Sequence, residues 1–135
     1  MAKNDSFQLW SASYRLLTAV INEVSPRVTE LGLEMKELFV LAEVDEFPHP
    51  AALASRLCMP KPTITFYSKR LEAAGLVKRE IDPSDLRRHR LVVTPAGRKV
   101  LGRGMAALSE AYGARLKRLS SAEQSALGAM LQKMS

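Results

Sequence analysis

The sequence predicts a mainly α-helical protein with one small β-hairpin. Apolar residues recur at helical spacing through both ends of the chain, whereas the period changes to two between Leu76 and Val93. The 135 residues, 47% hydrophobic and 25% charged, are close to the average for folded proteins and suffice for one ordinary domain. We therefore predict a single domain over residues 1–135.

The first helix is predicted from a stripe of large apolar residues at alternating spacings of three and four. Asp5 or Ser6 can cap its start, and Pro26 is expected to stop or bend it after Val24. So large a stripe needs something large to pack against. Its members are Phe7, Trp10, Tyr14, Leu17, Ile21 and Val24.

Three shorter helices follow. The first runs from about Glu34 to Val44, and prolines then break the chain before a small Ala-rich helix over Pro50–Leu57. After the tight connection Cys58–Lys61, another helix begins at Pro62 and ends at Gly75. Two short helices joined by a four-residue turn form a helix-turn-helix pattern.

The next segment predicts the hairpin. Leu76–Ile81 and Arg90–Val93 are expected strands, and Asp82–His89 between them is expected to form a polar, basic tip. A hairpin directly after a helix-turn-helix predicts a winged helix-turn-helix.

Two helices complete the chain. Thr94 is the expected N-cap of a long helix that continues to about residue 118, and Ser120 with Glu123 forms a capping box for the last one. The expected apolar stripe of the long helix contains Leu101, Met105, Leu108, Tyr112 and Leu119; that of the last helix contains Leu127, Met130, Leu131 and Met134.

The charge distribution favours a polyanionic partner. The whole chain carries +6, but residues 61–103 alone carry 11 Lys or Arg against 4 Asp or Glu, and residues 1–60 are net negative. Concentration of positive charge beside a helix-turn-helix is typical of a DNA-binding surface. The alternative is a solvated basic face.

The helix after Pro62 is expected to enter the major groove, with the hairpin at the backbone or minor groove. If Ile64 and Leu71 face the core, the opposite side presents hydroxyl and basic side chains. Phe66 could touch a thymine methyl or instead pack against the hairpin, and the hairpin tip could simply be solvated. The predicted DNA-binding residues are Lys61, Pro62, Thr63, Thr65, Phe66, Lys69, Arg70, Arg87, Arg88 and Arg90.

Other classes of function have little support. His49 and His89 lack the helical partner at i+4 that metal sites use, and Gly97–Gly104 lacks the setting of a phosphate loop, so we expect no enzyme, metal or cofactor. No stretch is apolar enough to span a membrane, and the N-terminus has no export signal. The single cysteine, Cys58, is expected to be a buried, inert thiol, and a reducing, cytoplasmic setting is the default expectation.

Residues 51–101 resemble the MarR (multiple antibiotic resistance regulator) family of bacterial transcription factors. Asp82–Arg87, followed by Leu91–Gly97, looks like the D-P-x-D-R-R wing and L-x-L-T-x-x-G that follow each other in this family. Arg70–Val77 is similar to the end of its recognition helix. Leu86 departs from the pattern, since an arginine often stands there, which leaves open the arginine that enters the groove.

The resemblance implies a homodimer on a pseudo-palindromic operator. The winged helix-turn-helix lobe would span about residues 34–94, and the dimerisation helices about 5–32 and 95–135. It also implies a charge pair that stiffens the wing, for which Asp85 with Arg87 is the candidate, leaving Arg88 to face DNA.

Many members of this family bind small aromatic acids or other phenolic compounds, which the resemblance extends to this chain as an expectation. The candidate pocket residues are Trp10, Tyr14, Phe47 and His49, for which core packing and helix capping are the alternative roles. Peroxide sensing through a cysteine near the N-terminus is disfavoured, because no cysteine lies there.

The predicted function is a sequence-specific transcriptional regulator, a repressor released by a small-molecule ligand, that binds double-stranded DNA. The alternative is a winged-helix module that dimerises and binds protein without DNA. RNA binding has little support, because the aromatic platforms expected for single strands are absent.

Overall fold

The computed structural model describes residues 5–135. The described chain contains six helices and an antiparallel pair of strands, which confirms the predicted fold class. In chain order the elements are α1 (Ser6–Glu30), α2 (Met35–Glu43), α3 (Pro50–Leu57), α4 (Lys61–Ala73), β1 (Val77–Asp82), β2 (Asp85–Val93), α5 (Pro95–Leu116) and α6 (Ser121–Met134).

The chain divides into two compact units. The central unit is Ser25–Met105, and the terminal unit contains residues 5–24 with Ala106–Ser135. The central unit holds the helix-turn-helix and the hairpin. The prediction of a single domain stays a prediction.

Helix α1 does not stop at Pro26, which rules out one of the two predicted effects of the proline; the other, a bend, stays a prediction. The helix continues to Glu30, and Val24 and Val28 on either side of the proline are both buried. Proline removes one backbone donor, but burial of an apolar face can outweigh that loss. The helix ends before Gly32, whose φ of 82° suits a residue without a side chain.

The helix-turn-helix forms as predicted. Helix α3 has the predicted bounds, α4 begins one residue early at Lys61, and Gly75 follows α4 with a φ of 75°. Leu53, Ile64 and Leu71 are fully buried at its centre. These three side chains fix the rotation of α4, and thereby select the face that it exposes.

The hairpin differs from the predicted one at its tip. The expected eight-residue tip is a two-residue turn, Pro83–Ser84, and Asp85–His89 belong to β2. The Asp82 carboxylate accepts hydrogen bonds from the Ser84 backbone N (2.9 Å) and from Ser84 Oγ (2.7 Å), which closes this turn. Polar composition suggested a loop, but an exposed hairpin tolerates polar side chains in a strand.

Irregular pairing marks the end of the hairpin. Val77 lies opposite Val93 and Ile81 opposite His89, but Asp82 lies opposite Asp85. The residues between Asp85 and His89 therefore have no partner on β1 and bulge from the ladder. This part of β2 carries two of the predicted DNA-binding arginines.

The start of α5 fixes the helix against the hairpin. Thr94 Oγ1 accepts a hydrogen bond from the Gly97 backbone N at 3.0 Å, which confirms the predicted N-cap, and donates one to the Gly75 carbonyl at 2.6 Å. A Cβ at Gly97 would collide with the carbonyl of Leu76. Glycine is needed at this close approach.

The buried stripe of α5 is narrower than predicted. Met105 was expected on this stripe, but its side chain is exposed; the buried positions of α5 are Gly97, Leu101, Gly104, Ala107 and Ala111. Gly104 has no side chain, and Leu38 occupies the space that a Cβ there would need. The sequence pattern counted large residues and so missed a stripe built from small ones. The capping box that opens α6, Ser120 with Glu123, is present as predicted.

Candidate nucleic-acid interface

Helix α4 exposes a basic and hydroxyl-bearing face. Ile64, Ser68 and Leu71 are buried, whereas Thr65 and Lys69 on the other side are exposed. Lys61 and Pro62 at the start of the helix are also exposed, and Thr63 is half-buried. The face is chemically suited to hydrogen bonding with phosphates and base edges.

Phe66 is an exposed aromatic on the same helix. Its side chain is 54% exposed, and its ring lies edge-on to the ring of Tyr67 at 5.3 Å between centroids. The Arg70 guanidinium lies over the Phe66 ring at 5.4 Å. Neighbours on its own helix therefore hold a large apolar side chain at the surface.

Arg70 has acidic partners that the sequence pattern did not reveal. Its guanidinium lies 3.1 Å from Glu34 and 3.0 Å from Glu37, and Glu37 is buried. Glu34 and Glu37 also form the capping box at the start of α2. Arg70 thus ties α4 to α2, and its role in DNA binding stays a prediction.

Tyr67 belongs to the same network. Burial, and then its hydrogen bond to Glu34, raise the pKa of its hydroxyl above the ordinary value. The tyrosine therefore remains a neutral donor beside the Glu34 carboxylate at neutral pH.

The predicted DNA-binding arginines of the hairpin differ in their exposure and in their contacts with acidic side chains. Arg87 is 93% exposed, and its Nε lies 3.3 Å from the Asp85 carboxylate, so the predicted pair is in contact. Because exposed ion pairs contribute little, its role in stiffening the wing stays a prediction. Arg90, in the middle of β2, is half-buried.

Asp82 is the buried acidic centre of the wing, and the sequence reasoning missed it. In addition to the two hydrogen bonds from Ser84, its carboxylate accepts one from Arg88 Nε (3.2 Å) and one from His49 Nε2 (2.6 Å). The hydrogen bonds from Ser84, followed by those from the other donors, hold the pKa of Asp82 far below its usual range. Arg88, expected to face DNA, is thus anchored at Nε. An aspartate two residues before a serine, with proline between, was the available signal.

A cleft opens between α4 and the hairpin; we call it the α4–wing cleft. It encloses about 330 Å³. Its lining residues come from the start of α3, from α4 and from both strands: Pro50, Thr65, Ser68, Lys69, Arg79, His89, Arg90 and Leu91. The predicted contacts Thr65, Lys69 and Arg90 therefore meet at one place.

Comparisons with known proteins agree with this geometry. A family model described as MarR family matches residues 33–89, the segment from the N-cap region of α2 into the hairpin. Among solved structures, the transcriptional regulator BldR from Sulfolobus solfataricus is 28% identical with a TM-score of 0.77, and the match covers 98% of this chain and 99% of that one. The family-model match covers the helix-turn-helix and most of the hairpin, and it identifies the segment as a MarR-family domain.

Two further solved structures contain bound small molecules, and the first is of a MarR-family protein. The Mycobacterium tuberculosis protein Rv2887, in complex with p-aminosalicylic acid, is 27% identical with a TM-score of 0.74, covering 93% of this chain and 97% of that one. CouR from Rhodococcus jostii RHA1, bound to p-coumaroyl-CoA, is 22% identical with a TM-score of 0.80, covering 96% and 92%. No curated protein matches the sequence. The MarR-family match over the helix-turn-helix and hairpin supports a DNA-binding transcriptional regulator.

The residues predicted for the effector pocket fall in both units. In the terminal unit, Trp10 and Tyr14 are exposed and stacked, with 5.4 Å between ring centroids. In the central unit, the Arg56 guanidinium lies 5.3 Å over the Phe47 ring, and His49 is bound to Asp82. Each of the four side chains has a contact of its own, and their grouping into one pocket stays a prediction.

Residues 5–135 show no features of two other classes of site, a metal centre and a membrane-spanning helix. No group of three or more His, Cys, Asp or Glu in this part of the chain could hold a metal ion. None of the helices described there has the length and apolar character to cross a bilayer. Cys58 is an exposed free thiol, not a buried one, and adopts a φ of 52° at the end of α3.

Proposed function

We propose that this chain is a transcriptional regulator of the MarR family that acts as a homodimer, binds a pseudo-palindromic operator, represses transcription and is released by a small aromatic or phenolic acid. The observation that carries the proposal is the exposed face of α4, where Thr65, Phe66 and Lys69 stand beside a basic hairpin. The buried residues of α4 hold this face in place.

Electrostatics support duplex DNA as the partner. The net charge of residues 61–103 exceeds that of the whole chain, and these residues contain α4 and the hairpin. Contacts from lysine and arginine to phosphates would position the protein, and the hydroxyl groups and Phe66 are suited to reading base edges and thymine methyl groups.

The apolar surface of the terminal unit supports a homodimer. Helix α1 exposes Phe7, Trp10 and Tyr14, which stack in sequence, and α6 exposes Met130 and Leu131. Exposed apolar clusters such as the stacked aromatics of α1 are typical of interaction sites. A second copy of the chain would cover it with an identical surface and set two α4 helices about 34–36 Å apart, one turn of DNA.

The effector class is proposed from the relatives. p-Aminosalicylic acid and p-coumaroyl-CoA both contain a phenol ring, and the stacked aromatics of α1 offer surfaces on which such a ring could pack. Because the chain has a single tryptophan, Trp10, its fluorescence would report binding near α1.

Binding to duplex DNA across a salt series tests the proposal. We expect measurable affinity for random duplexes at low salt and a steep loss between 50 and 200 mM, as phosphate contacts release counterions. Selection from a random duplex pool should then recover a palindrome with half-sites about one turn apart. Absence of any duplex binding at low salt would favour the alternative, a winged-helix module that binds protein.

A second measurement tests release. With the selected duplex bound, p-aminosalicylate is titrated while DNA anisotropy and Trp10 fluorescence are recorded. Loss of anisotropy supports an aromatic-acid effector, and unchanged anisotropy up to millimolar concentrations rejects that class while leaving DNA binding intact.

A further inference from the structure

We infer that the α4–wing cleft holds one phosphate group of the DNA backbone, and that Ser68 and Arg79 bind it together with Lys69 and Arg90. Neither Ser68 nor Arg79 was expected from the sequence to contact DNA. The inference rests on the DNA-binding function of the chain and adds a defined anion site to it.

The charge of the cleft is the first argument. Three of its lining residues, Lys69, Arg79 and Arg90, are cations, and none of its lining residues is acidic. Lys69 is exposed and forms no ion pair within residues 5–135. A concave surface lined by one sign of charge concentrates potential and attracts the opposite charge.

The existing partners of the two arginines do not neutralise this site. Arg79 lies 3.5 Å from Glu72, and Arg90 lies 3.5 Å from Glu80, both long contacts on partly exposed side chains. Exposed ion pairs of this kind are weak and screened by salt. Both guanidinium groups therefore retain donors for a phosphate, to which arginine is geometrically matched.

Two buried polar atoms without partners are the second and independent argument. Ser68 is 3% exposed, and its Oγ has no hydrogen-bond partner within the described chain; the same holds for the buried Nε of Arg90. Both residues line the cleft. Buried polar groups are nearly always hydrogen-bonded, because an unpaired one costs free energy. Phosphate oxygens would accept hydrogen bonds from both donors.

The α4–wing cleft is large enough to hold a phosphate group. The cleft encloses about 330 Å³, whereas one water occupies roughly 30 Å³ of liquid. A tetrahedral phosphate with several bridging waters fits this space. Bridging waters are normal in interfaces with DNA.

The position of the cleft favours the DNA backbone over a free oxyanion. In a winged helix-turn-helix one helix occupies the major groove and the hairpin reaches the minor groove. The sugar-phosphate backbone separates these two grooves, so a strand must pass between the two elements. Here the cleft lies between α4 and the hairpin, and Thr65 and Lys69 on its wall belong to the exposed face of α4.

A salt series on charge variants is the first test. Each phosphate contact contributes about 0.9 to the slope of log K against log salt, and Arg79→Gln removes one contact in each half-site of the proposed dimer. The affinity ratio of wild type to Arg79→Gln should therefore shrink about twelvefold as salt rises from 50 to 200 mM. Lys133→Gln on α6 removes the same charge outside the cleft and should keep the wild-type slope. Equal slopes for all three proteins would overturn the inference.

Ser68→Ala separates binding from folding. Loss of a hydrogen bond to a charged group should weaken DNA binding about tenfold. Thermal stability should stay unchanged or rise, because the variant removes an unpaired buried hydroxyl. Wild-type affinity in a folded Ser68→Ala protein would contradict the role of Ser68.

Duplexes with a single neutral methylphosphonate distinguish the two sources of phosphate. We expect wild type to lose affinity at one backbone position in each half-site, and Arg79→Gln to lose little there. If no position matters and inorganic phosphate displaces DNA more than chloride at equal ionic strength, the cleft binds a free oxyanion and the inference is overturned. If wild type binds no duplex at all, the DNA-binding function itself fails, which is a different result.

Discussion

The core of the central unit and the first helix of the terminal unit place large apolar side chains in opposite environments. In the central unit Leu53, Ile64 and Leu71 are fully buried. In the terminal unit Phe7 is 68% exposed and Trp10 is 60% exposed. Apolar side chains that pack within a unit stabilise its fold, whereas those left at the surface gain nothing until another molecule covers them. Substitutions in the core of the central unit should therefore lower the free energy of unfolding, whereas substitutions of the exposed aromatics of α1 should weaken association.

The largest expected effect is on folding of the central unit. Leu71→Ala removes a fully buried side chain from α4 and should lower the free energy of unfolding by about 2–5 kcal/mol, measured by chemical denaturation. Leu86→Ala on the exposed hairpin is the matched control and should change it by less than about 0.5 kcal/mol. Equal losses of stability in both variants would contradict the assignment of Leu71 to the core of the central unit.

The second effect concerns association through the terminal unit. Trp10→Ala should weaken the proposed dimer by about 2 kcal/mol, roughly 30-fold, because large buried aromatics dominate interfaces. Sedimentation at several concentrations measures the change, with Lys36→Ala, at an exposed position on α2 in the central unit, as the control. If Trp10→Ala lowers the free energy of unfolding but leaves association at the wild-type level, the aromatic side chain stabilises the fold and not the dimer.

The third effect concerns pH and the wing. The folded-state pKa of Asp82 is lowered, so its ionised form stabilises the fold above the unfolded-state pKa, about 3.9, and this contribution is lost as pH falls below that value. Asp82→Asn should therefore be less stable than wild type at pH 7, with the difference shrinking below pH 4. Thermal unfolding across this range checks the trend, and a difference that does not vary with pH would contradict it.

The smallest effect is expected at the exposed pair beside it. Asp85→Asn removes the contact with Arg87 and should change the free energy of unfolding by less than about 0.5 kcal/mol. Denaturation of this variant beside Asp82→Asn compares an exposed carboxylate with a buried one in the same hairpin. If Asp85→Asn lost more stability than Asp82→Asn, then Asp85, and not Asp82, would be the acidic centre of the wing.

Local rules explain why much of the fold was predictable. The bounds of α3, the N-cap Thr94 and the capping box at Ser120 each depend on residues within four positions of one another. The failures depended on distant partners. Burial of Val24 and Val28 carried α1 past Pro26, and Leu38 occupied the space beside Gly104.

The candidate site likewise has features that the local sequence predicts and features that depend on residues far apart in the chain. The helical period placed Thr65 and Lys69 on the exposed face of α4, because Ile64 and Leu71 had to be buried. The partners of Arg70 and Arg88 could not be predicted, because Glu34 is 36 residues from Arg70 and Asp82 is held in place by a turn that composition alone did not reveal.

Local patterns in the amino-acid sequence were enough to predict the order of the helices, the helix-turn-helix, the hairpin and the concentration of positive charge around them. These features follow from period, capping and composition, which act over a few residues. Which basic side chains are paired with carboxylates, and which line the α4–wing cleft, could be read only from the folded chain. Both depend on packing between elements far apart in the chain, which brings Ser68 and Arg79 to one place.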